Sequence, residues 1–304
     1  MKILLLTDKP NWAYHSIAKS LCKYNTDKDV DISVMHIKKN ISSIKKKYKK
    51  YDKYLVMGWQ NYDLVSFLPK KNTLIGIHSH HAWDNKKTKP DKDVSPPRDL
   101  VKLLNSFRAV NAVSNKLYNL FKKSGVNNIY YTPNGADSNV FKPKGNKSDN
   151  EFYVGYSGSK SHDWRKGVSK YIVPATKKSG AKIKIAMLST GNYVPLEEMP
   201  SFYSNLHVYT CASSSEGFSL SVLEAASCGV PIITTKVGGM KELIEDGKNG
   251  FLVDRDLGAI SEKISLLKND RDLLISMSKN MRRSVEKKWC WSKRTKDWVE
   301  FLKV

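Results

Sequence analysis

An alternation that runs almost the whole length of the chain narrows the possible folds most. Short apolar runs rich in β-branched and aromatic residues are each followed by a segment with helical spacing. In the first half the strand-like runs cover 2–7, 30–36, 53–57, 73–78, 109–113 and 129–132. Between them Ile17, Leu21 and Tyr24 share one helix face. Leu100, Val101 and Leu104 share another, as do Leu117, Leu120 and Phe121. Residues three and four apart meet on one side of a helix, whereas a continuous apolar run suits a strand covered on both faces. The repetition predicts a parallel, doubly wound α/β sheet. It pauses over 133–150, where proline, glycine, asparagine and lysine crowd together as in a linker. It then restarts, with strands expected at 152–157, 182–187, 208–212, 231–234 and 250–253. Helices are expected at 168–178, 218–228, 257–268, 270–288 and 292–303. Two Rossmann-like domains follow, 1–140 and 151–288, with a terminal helix in 289–304. A linker between two such domains leaves a cleft lined by the carboxyl ends of both sheets, where open α/β sheets bind ligands.

Composition excludes several classes. A chain of 304 residues with 40% hydrophobic content is too apolar for disorder. No apolar run approaches the roughly 20 residues of a membrane span. The N-terminal stretch Lys2 to Thr7 is too short for a signal peptide and reads as a first buried strand. Cys22, Cys211, Cys228 and Cys290 are scattered without metal-ligand spacing, which suits reduced thiols in the cytoplasm. Charge is the unusual property. The net value is +23, and residues 1–150 hold 28 Lys and Arg against 12 Asp and no Glu. Such a half attracts polyanions or an anionic membrane, unless the lysines are only solvated.

The strongest local signal lies between Ser213 and Gly239. A strand ends in a serine-rich turn carrying Glu216, and small residues then open a helix carrying Glu224. The spacing places Glu224 a little over two turns from Glu216 on one helix face. The helix N-terminus near Phe218–Ser221 offers free N–H groups to a phosphate. The two carboxylates can accept hydrogen bonds from a hydroxyl-rich ligand on either side. Upstream, Lys160 and the pair Arg165 and Lys166 with Gly167, which opens the next helix, supply cations.

The run Glu216-Gly-Phe-x-Leu-x-x-Leu-Glu-Ala-x-x-Cys-Gly-Val-Pro-Ile-Ile resembles the donor motif of family-4 retaining glycosyltransferases (group 1), which have the GT-B fold. The likeness continues from Val237 to Val253, and more weakly from Tyr131 to Pro143. It implies two Rossmann-like domains facing a cleft, with the last helix returning to the first domain. It implies that Glu216 contacts the donor sugar and Glu224 the ribose, with the amides of Gly217, Phe218 and Ser219 near the sugar or diphosphate. Lys166 and Gly167 match the family's diphosphate element. The chain departs from the pattern at Ser159, where the family has Arg, so Lys160 or Arg165 takes that place. His78, after the fourth strand, sits where many members hold a histidine close to the transferring sugar, so the implied catalytic set is Glu216, His78 and Lys166. The cosubstrate is a nucleoside-diphosphate sugar, and no metal or other cofactor is implied.

The acceptor side is less defined. His80, His81 and Trp83 follow His78 and can face an acceptor; a zinc site is the rival reading of the three histidines, but no partner ligand lies nearby. The family's glycine pair after the first strand is replaced by Asn11, Trp12 and Ala13, which makes Trp12 an acceptor platform or a packing residue. Aspartate pairs at 29/31, 91/93 and 254/256 read as solvated turns. The segment 37–53 carries Ile41, Ile44, Tyr48 and Tyr51 among lysines, a pattern suited to an anionic membrane or to nucleic-acid phosphates. The expectation is a cytoplasmic transferase, peripheral at the inner membrane surface, acting on an anionic lipid or cell-envelope glycan. Hydroxymethylated DNA is the alternative acceptor, and a non-catalytic nucleotide-sugar or polyanion-binding protein the alternative class. Neither the sugar, the base nor the oligomeric state is written in the sequence.

Overall fold

In a computed structural model the described residues are 1–79, 94–144, 150–188 and 191–304. They form two compact units, Met1–Asn134 with Trp291–Val304, and Gly135–Cys290. The first unit holds six strands: β1 (Lys2–Thr7), β2 (Asp31–His36), β3 (Lys53–Val56), β4 (Thr73–Ile77), β5 (Ala109–Ala112) and β6 (Ile129–Tyr131). All pair in parallel, in the order β2-β1-β3-β4-β5-β6. The apolar runs predicted strands because β1, β4 and β5 are buried on both faces. The second unit holds β7 (Tyr153–Ser159), β8 (Lys182–Leu188), β9 (Val208–Cys211), β10 (Ile232–Thr235) and β11 (Gly250–Val253) in the parallel order β11-β10-β9-β7-β8.

Both sheets reverse strand order between their first and third strands, β1 and β3 in one unit, β7 and β9 in the other. At such a switch point the two loops leaving the carboxyl ends diverge to opposite faces and open a crevice. The fold thereby nominates two loop pairs in advance of any chemistry.

Several expectations shift. The expected helix 168–178 starts as a π-turn, Val168–Ile172, and becomes α-helical only at Val173–Lys178. The expected helix 270–288 is capped by the Asp270 side chain on the Leu273 N–H, ends at Ser284, and widens into a second π-turn, Val285–Trp289. Residues 135–144, read as linker, are built into the second unit. The Arg282 guanidinium donates to the carbonyls of Ser138 and Phe141, satisfying irregular backbone that would otherwise lack donors.

The last helix, Trp291–Lys303, belongs to the first unit. Trp298, Phe301 and Leu302 are buried, and the Trp298 indole donates to the Pro133 carbonyl at 2.9 Å. Lys53 Nζ and Arg108 Nε close its end on the carbonyls of Lys303 and Val304, at 2.6 and 2.7 Å. The lysine-rich helix Ile37–Lys47 turns Ile37 and Ile44 into its own domain core, while Tyr48 packs on Tyr54 and Phe67. Most of its apolar side chains are therefore taken up within the unit, and the lysines at 38, 39 and 45–47 face outward. Among the described residues no helix is long and apolar enough to cross a membrane.

Candidate functional site

The crevice between β7 and β9 gathers the charged residues of the motif. After β7 the chain makes a 3-10 turn, Lys160–His162, then a single α-turn, Asp163–Lys166. Gly167 stops it in the left-handed region, at φ +70°, with Gly167 N–H donating to Asp163 O. Arg165 and Lys166 therefore end a turn rather than open a helix, contrary to the sequence reading. A Cβ at Gly167 would lie 2.9 Å from the Ala212 carbonyl, so only glycine lets this turn sit against the end of β9.

After β9 the chain runs through Ser213–Ser219 before the helix Leu220–Ser227 begins. Glu216 lies in that turn and not on the helix, so the helical-face relation expected between it and Glu224 does not hold. The turn is backed by Gly238, at φ +50°, where a Cβ would meet the carbonyls of Gly217 and Glu216 at 2.3 and 2.5 Å. Gly239 N–H donates to Gly217 O, and the Thr235 hydroxyl donates to Ser213 O.

Lys166 Nζ stands 2.5 Å from Glu216 Oε1, and Arg165 Nη1 is 3.4 Å from the same oxygen. All three side chains are nearly buried. Burial pushes the Glu216 carboxyl up. The charges of Lys166 and Arg165, with hydrogen bonds from Lys166 and Ser213, outweigh it and hold the pKa at about 2. Arg165 is chiefly occupied in tying the two loops together, since its Nη1 donates to the Ser215 carbonyl at 3.0 Å. Its own carbonyl accepts from Ser214 N–H and from Arg255 Nη2. The Lys160 side chain is exposed and makes no hydrogen bond or ion pair among the described residues. Of the two substitutes for the family's arginine, Arg165 is thus a loop staple and Lys160 a solvent-facing cation.

Phe218 packs beneath Trp289 at 5.0 Å and against Gly239, which fixes the last step before the helix. Ser219 caps the helix with extended backbone and no side-chain cap bond, and its hydroxyl lies 3.1 Å from that of Ser221. No acidic residue stands in the first helical turn, so the positive end of the helix dipole keeps its full pull on an anion. Glu224 lies on this helix under opposite conditions. Tyr203 donates to its Oε2 at 2.9 Å, and no cation pairs with it among the described residues. Burial therefore dominates over the Tyr203 bond and raises the carboxyl to about 7. Two glutamates of one motif thus differ widely in their affinity for a proton, one titrating at about 2 and the other at about 7.

In the first unit His78 follows β4. Its ring lies 4.7 Å from Tyr14 and stacks on Trp298 at 6.2 Å. Nε2 is buried with no hydrogen-bond partner among the described residues, and burial lowers the pKa to about 3, so the ring is neutral near pH 7. Gly76 leaves room for it; a Cβ there would come 2.9 Å from His78 Nε2 and 2.3 Å from the Met57 carbonyl. Asn11 adopts a left-handed φ of +59°, unusual for a residue with a side chain, and its N–H donates to His15 Nδ1. Trp12 is 38% exposed with Lys9 Nζ 3.3 Å over its ring, so it does not serve core packing. His80, His81 and Trp83 lie outside the described residues, as do Asp91 and Asp93. Asp254 pairs with Lys236, and Asp256 caps the helix Leu257–Asn269. Among the described residues no group of three His, Cys, Asp or Glu could hold a metal.

Sequence reasoning missed Tyr203 and Arg255. Both reach the site from segments outside the motif, and neither stands in a pattern that marks it.

Known proteins resemble this chain in part of its sequence and in its fold. Residues 176–284 match the family Glycosyl transferases group 1. The capsular polysaccharide biosynthesis glycosyltransferase CapM of Staphylococcus aureus is 31% identical over 206 residues, 58% of this chain and 54% of that protein. A D-inositol 3-phosphate glycosyltransferase of Corynebacterium urealyticum is 32% identical over 110 residues, 36% of this chain and 26% of that protein. The matches thus span about half, or less, of these curated relatives. Sucrose-phosphate synthase from Thermosynechococcus elongatus superposes with a TM-score of 0.79 at 15% identity, covering 100% of this chain and 98% of that one. Anabaena Alr3699/HepE, solved with UDP and glucose, gives a TM-score of 0.75 at 16% identity, covering 100% and 99%. Fold and site together define an α/β protein of the GT-B type. The segment 176–284 is similar to the group 1 glycosyl transferases.

Proposed function

We propose that the protein is a retaining glycosyltransferase that moves a sugar from a nucleoside-diphosphate sugar to a hydroxyl of an anionic acceptor. The observation that carries this reading is the Lys166–Glu216 pair at the carboxyl ends of β7 and β9, next to the N-terminus of Leu220–Ser227. During transfer the acceptor oxygen bonds to the anomeric carbon as the bond to the diphosphate breaks, and the hydroxyl proton passes to the departing phosphate oxygen. The departing phosphate oxygen gains negative charge, which Lys166 and the helix N-terminus are suited to receive. Glu216, ionised at every physiological pH, orients Lys166 and offers carboxylate lone pairs to sugar hydroxyls. Glu224 is the group for the ribose, and His78 acts as a neutral hydrogen-bonding ring rather than a cation. The reading calls for no metal, because the diphosphate charge is met by lysine and backbone.

A uridine nucleotide is favoured because the HepE structures carry UDP and UDP-glucose. A cell-envelope glycan is favoured as acceptor because CapM is named for capsular polysaccharide biosynthesis. The basic first half favours an acceptor with negative charge. The test is mass spectrometry of acceptors after incubation with UDP-, GDP- and ADP-sugars. Candidate acceptors are lipid-linked glycan precursors, polysaccharide fragments and hydroxymethylated duplex DNA. A mass increase of one sugar on a glycan or lipid acceptor, lost in Lys166→Ala, supports the proposal. Transfer to DNA alone would replace the acceptor, and no transfer to any acceptor would overturn the reading.

A further inference from the structure

The second unit contains a buried line of hydroxyls that ends on Glu224. Ser157 N–H donates to the Tyr209 hydroxyl at 3.1 Å, which lies 3.0 Å from Ser157 Oγ. Ser157 Oγ lies 2.9 Å from the Tyr203 hydroxyl, and Tyr203 donates to Glu224 Oε2 at 2.9 Å. Ser157 is in β7, Tyr209 in β9, and Tyr203 in the helix Met199–Ser204. The line therefore crosses from the switch point of the sheet to the helix that carries Glu224. The direction is set from the far end: Tyr203 gives its one proton to the carboxylate, so Ser157 Oγ donates to Tyr203, while the Tyr209 hydroxyl, which accepts from Ser157 N–H, donates to the Ser157 carbonyl at 3.2 Å.

This is an expensive arrangement for a purely structural purpose. Three hydroxyls are buried, and Tyr203 and Tyr209 are almost wholly covered. An apolar side chain in each place would need no partner. The line secures one oxygen of one carboxylate. Glu224 Oε1 accepts no hydrogen bond from the described residues, so the acceptor is held by one oxygen and presents the other.

We propose that Tyr203 is a positioning residue for nucleotide recognition: held by the Ser157–Tyr209 hydroxyls, it orients Glu224 so that Oε1 accepts from the ribose hydroxyls of the donor. This rests on the reading of the second unit as a nucleotide-sugar site. The groups around Glu224 agree with a role for Tyr203 in its charge. Tyr203 faces it from the helix Met199–Ser204, Tyr209 and Cys211 line the adjacent β9, and Cys228 follows on its own helix. The hydroxyls of Tyr203 and Tyr209 and the Cys228 thiol are all pushed up by burial and stay neutral. Arg282, on the helix Arg271–Ser284, is directed to the carbonyls of Phe141, Ser138 and Ser227. Among the described residues the Tyr203 hydrogen bond is accordingly the one interaction that favours the carboxylate against burial.

The test is calorimetric titration of UDP, GDP and ADP into the wild type, Tyr203→Phe and Ser157→Ala, from pH 5.5 to 8.5. The 2′,3′-dideoxy analogue of whichever nucleotide binds is titrated in parallel. Tyr203→Phe keeps the ring and its packing. It should bind the ribonucleotide about tenfold more weakly at pH 7, the size of one hydrogen bond to a charged group. The midpoint of its pH dependence should move upward, and its affinity for the dideoxy analogue should match that of the wild type. Ser157→Ala should change each quantity in the same direction by less, and it keeps the test informative should Tyr203→Phe fold poorly. In transfer assays KM for the donor should rise while kcat stays within about twofold. Equal losses for the ribonucleotide and the dideoxy analogue would reduce Tyr203 to a packing role and overturn the proposal. So would an unshifted midpoint in both variants. Absence of any nucleotide binding by the wild type would overturn the site reading itself, and this proposal with it.

Discussion

Glu216 and Glu224 stand eight positions apart, yet one is flanked by two cations and the other by a tyrosine. Glu216 has its carboxyl lowered from 4.5 to about 2. A lowered folded-state pKa contributes stability that is complete above about pH 4.5 and is lost as pH falls toward 2. Integrated over that window the contribution is on the order of 3 kcal/mol. Urea unfolding of Glu216→Gln should therefore show lower stability at pH 7 and a flatter acid limb than the wild type. That loss is the cost of leaving Lys166 and Arg165 buried without a carboxylate, and it falls in the range of roughly 3–5 kcal/mol for breaking a buried pair. An unchanged acid limb would mean that the ion pair does not form in solution. Glu224 has the opposite sign: its folded-state pKa is raised to about 7, so the cost of its ionisation appears as pH rises from 4.5 to 7. A ligand that donates to the carboxylate should bind more tightly over the same rise and release a proton. Titrations of a bound nucleotide at pH 7 in buffers of different ionisation enthalpy should reveal that proton. At this scale the sequence points to Glu216, Glu224 and Lys166 through the motif, and the structure brings Lys166 and Glu216 together. The sequence concealed their partners. Tyr203 and Arg255 meet the site only because the helix Met199–Ser204 and the loop after β11 are folded against it, which no local pattern records. It also concealed that Arg165 is buried under the turn it serves.

At the scale of elements, most strands were legible because parallel strands covered on both faces must be apolar throughout, and little else in a chain is. Their ends moved by one or two residues, which is where burial fades and hydrogen bonding alone decides. The π-turns at Val168–Ile172 and Val285–Trp289 were not legible, since one extra residue in a turn barely changes an apolar period over so short a stretch. The start of the helix after Glu216 was misplaced for a different reason. Gly238 and Gly239 let a second loop press on residues 216–218 and hold them out of helical geometry. Gly238→Ala should then disable the turn while leaving the first unit folded. The new Cβ meets two carbonyls, and the left-handed backbone adds about 1 kcal/mol of strain. The expected outcome is at least a hundredfold loss of nucleotide affinity by calorimetry, with retained helical circular dichroism. Full affinity in this variant would show that the turn is not what holds the ligand.

The whole molecule is a pair of parallel sheets with unequal charge. Topology places a switch point in each, and the motif occupies the one between β7 and β9. The excess of lysine falls in the first half, including the outward face of Ile37–Lys47, whose apolar side is largely turned inward. Association with a polyanionic acceptor should therefore be electrostatic and long-ranged. It should weaken steeply between about 50 and 300 mM salt, as screening shortens the reach of charge to under 10 Å. Binding to anionic vesicles or polyanionic glycan, followed against ionic strength, checks this; a salt-independent affinity would locate the interaction in apolar contacts instead. The overall α/β plan was readable because it follows from periodicity, whereas the acceptor was not, because charge specifies attraction without specifying shape.

The most direct measurement is a calorimetric titration of a nucleoside-diphosphate sugar into the wild type and into Lys166→Ala, with circular dichroism confirming that both are folded. The account predicts saturable one-to-one binding to the wild type and at least a hundredfold weaker binding to the variant. Equal affinity in the two proteins, or no binding of any UDP-, GDP- or ADP-sugar to the wild type, would contradict it.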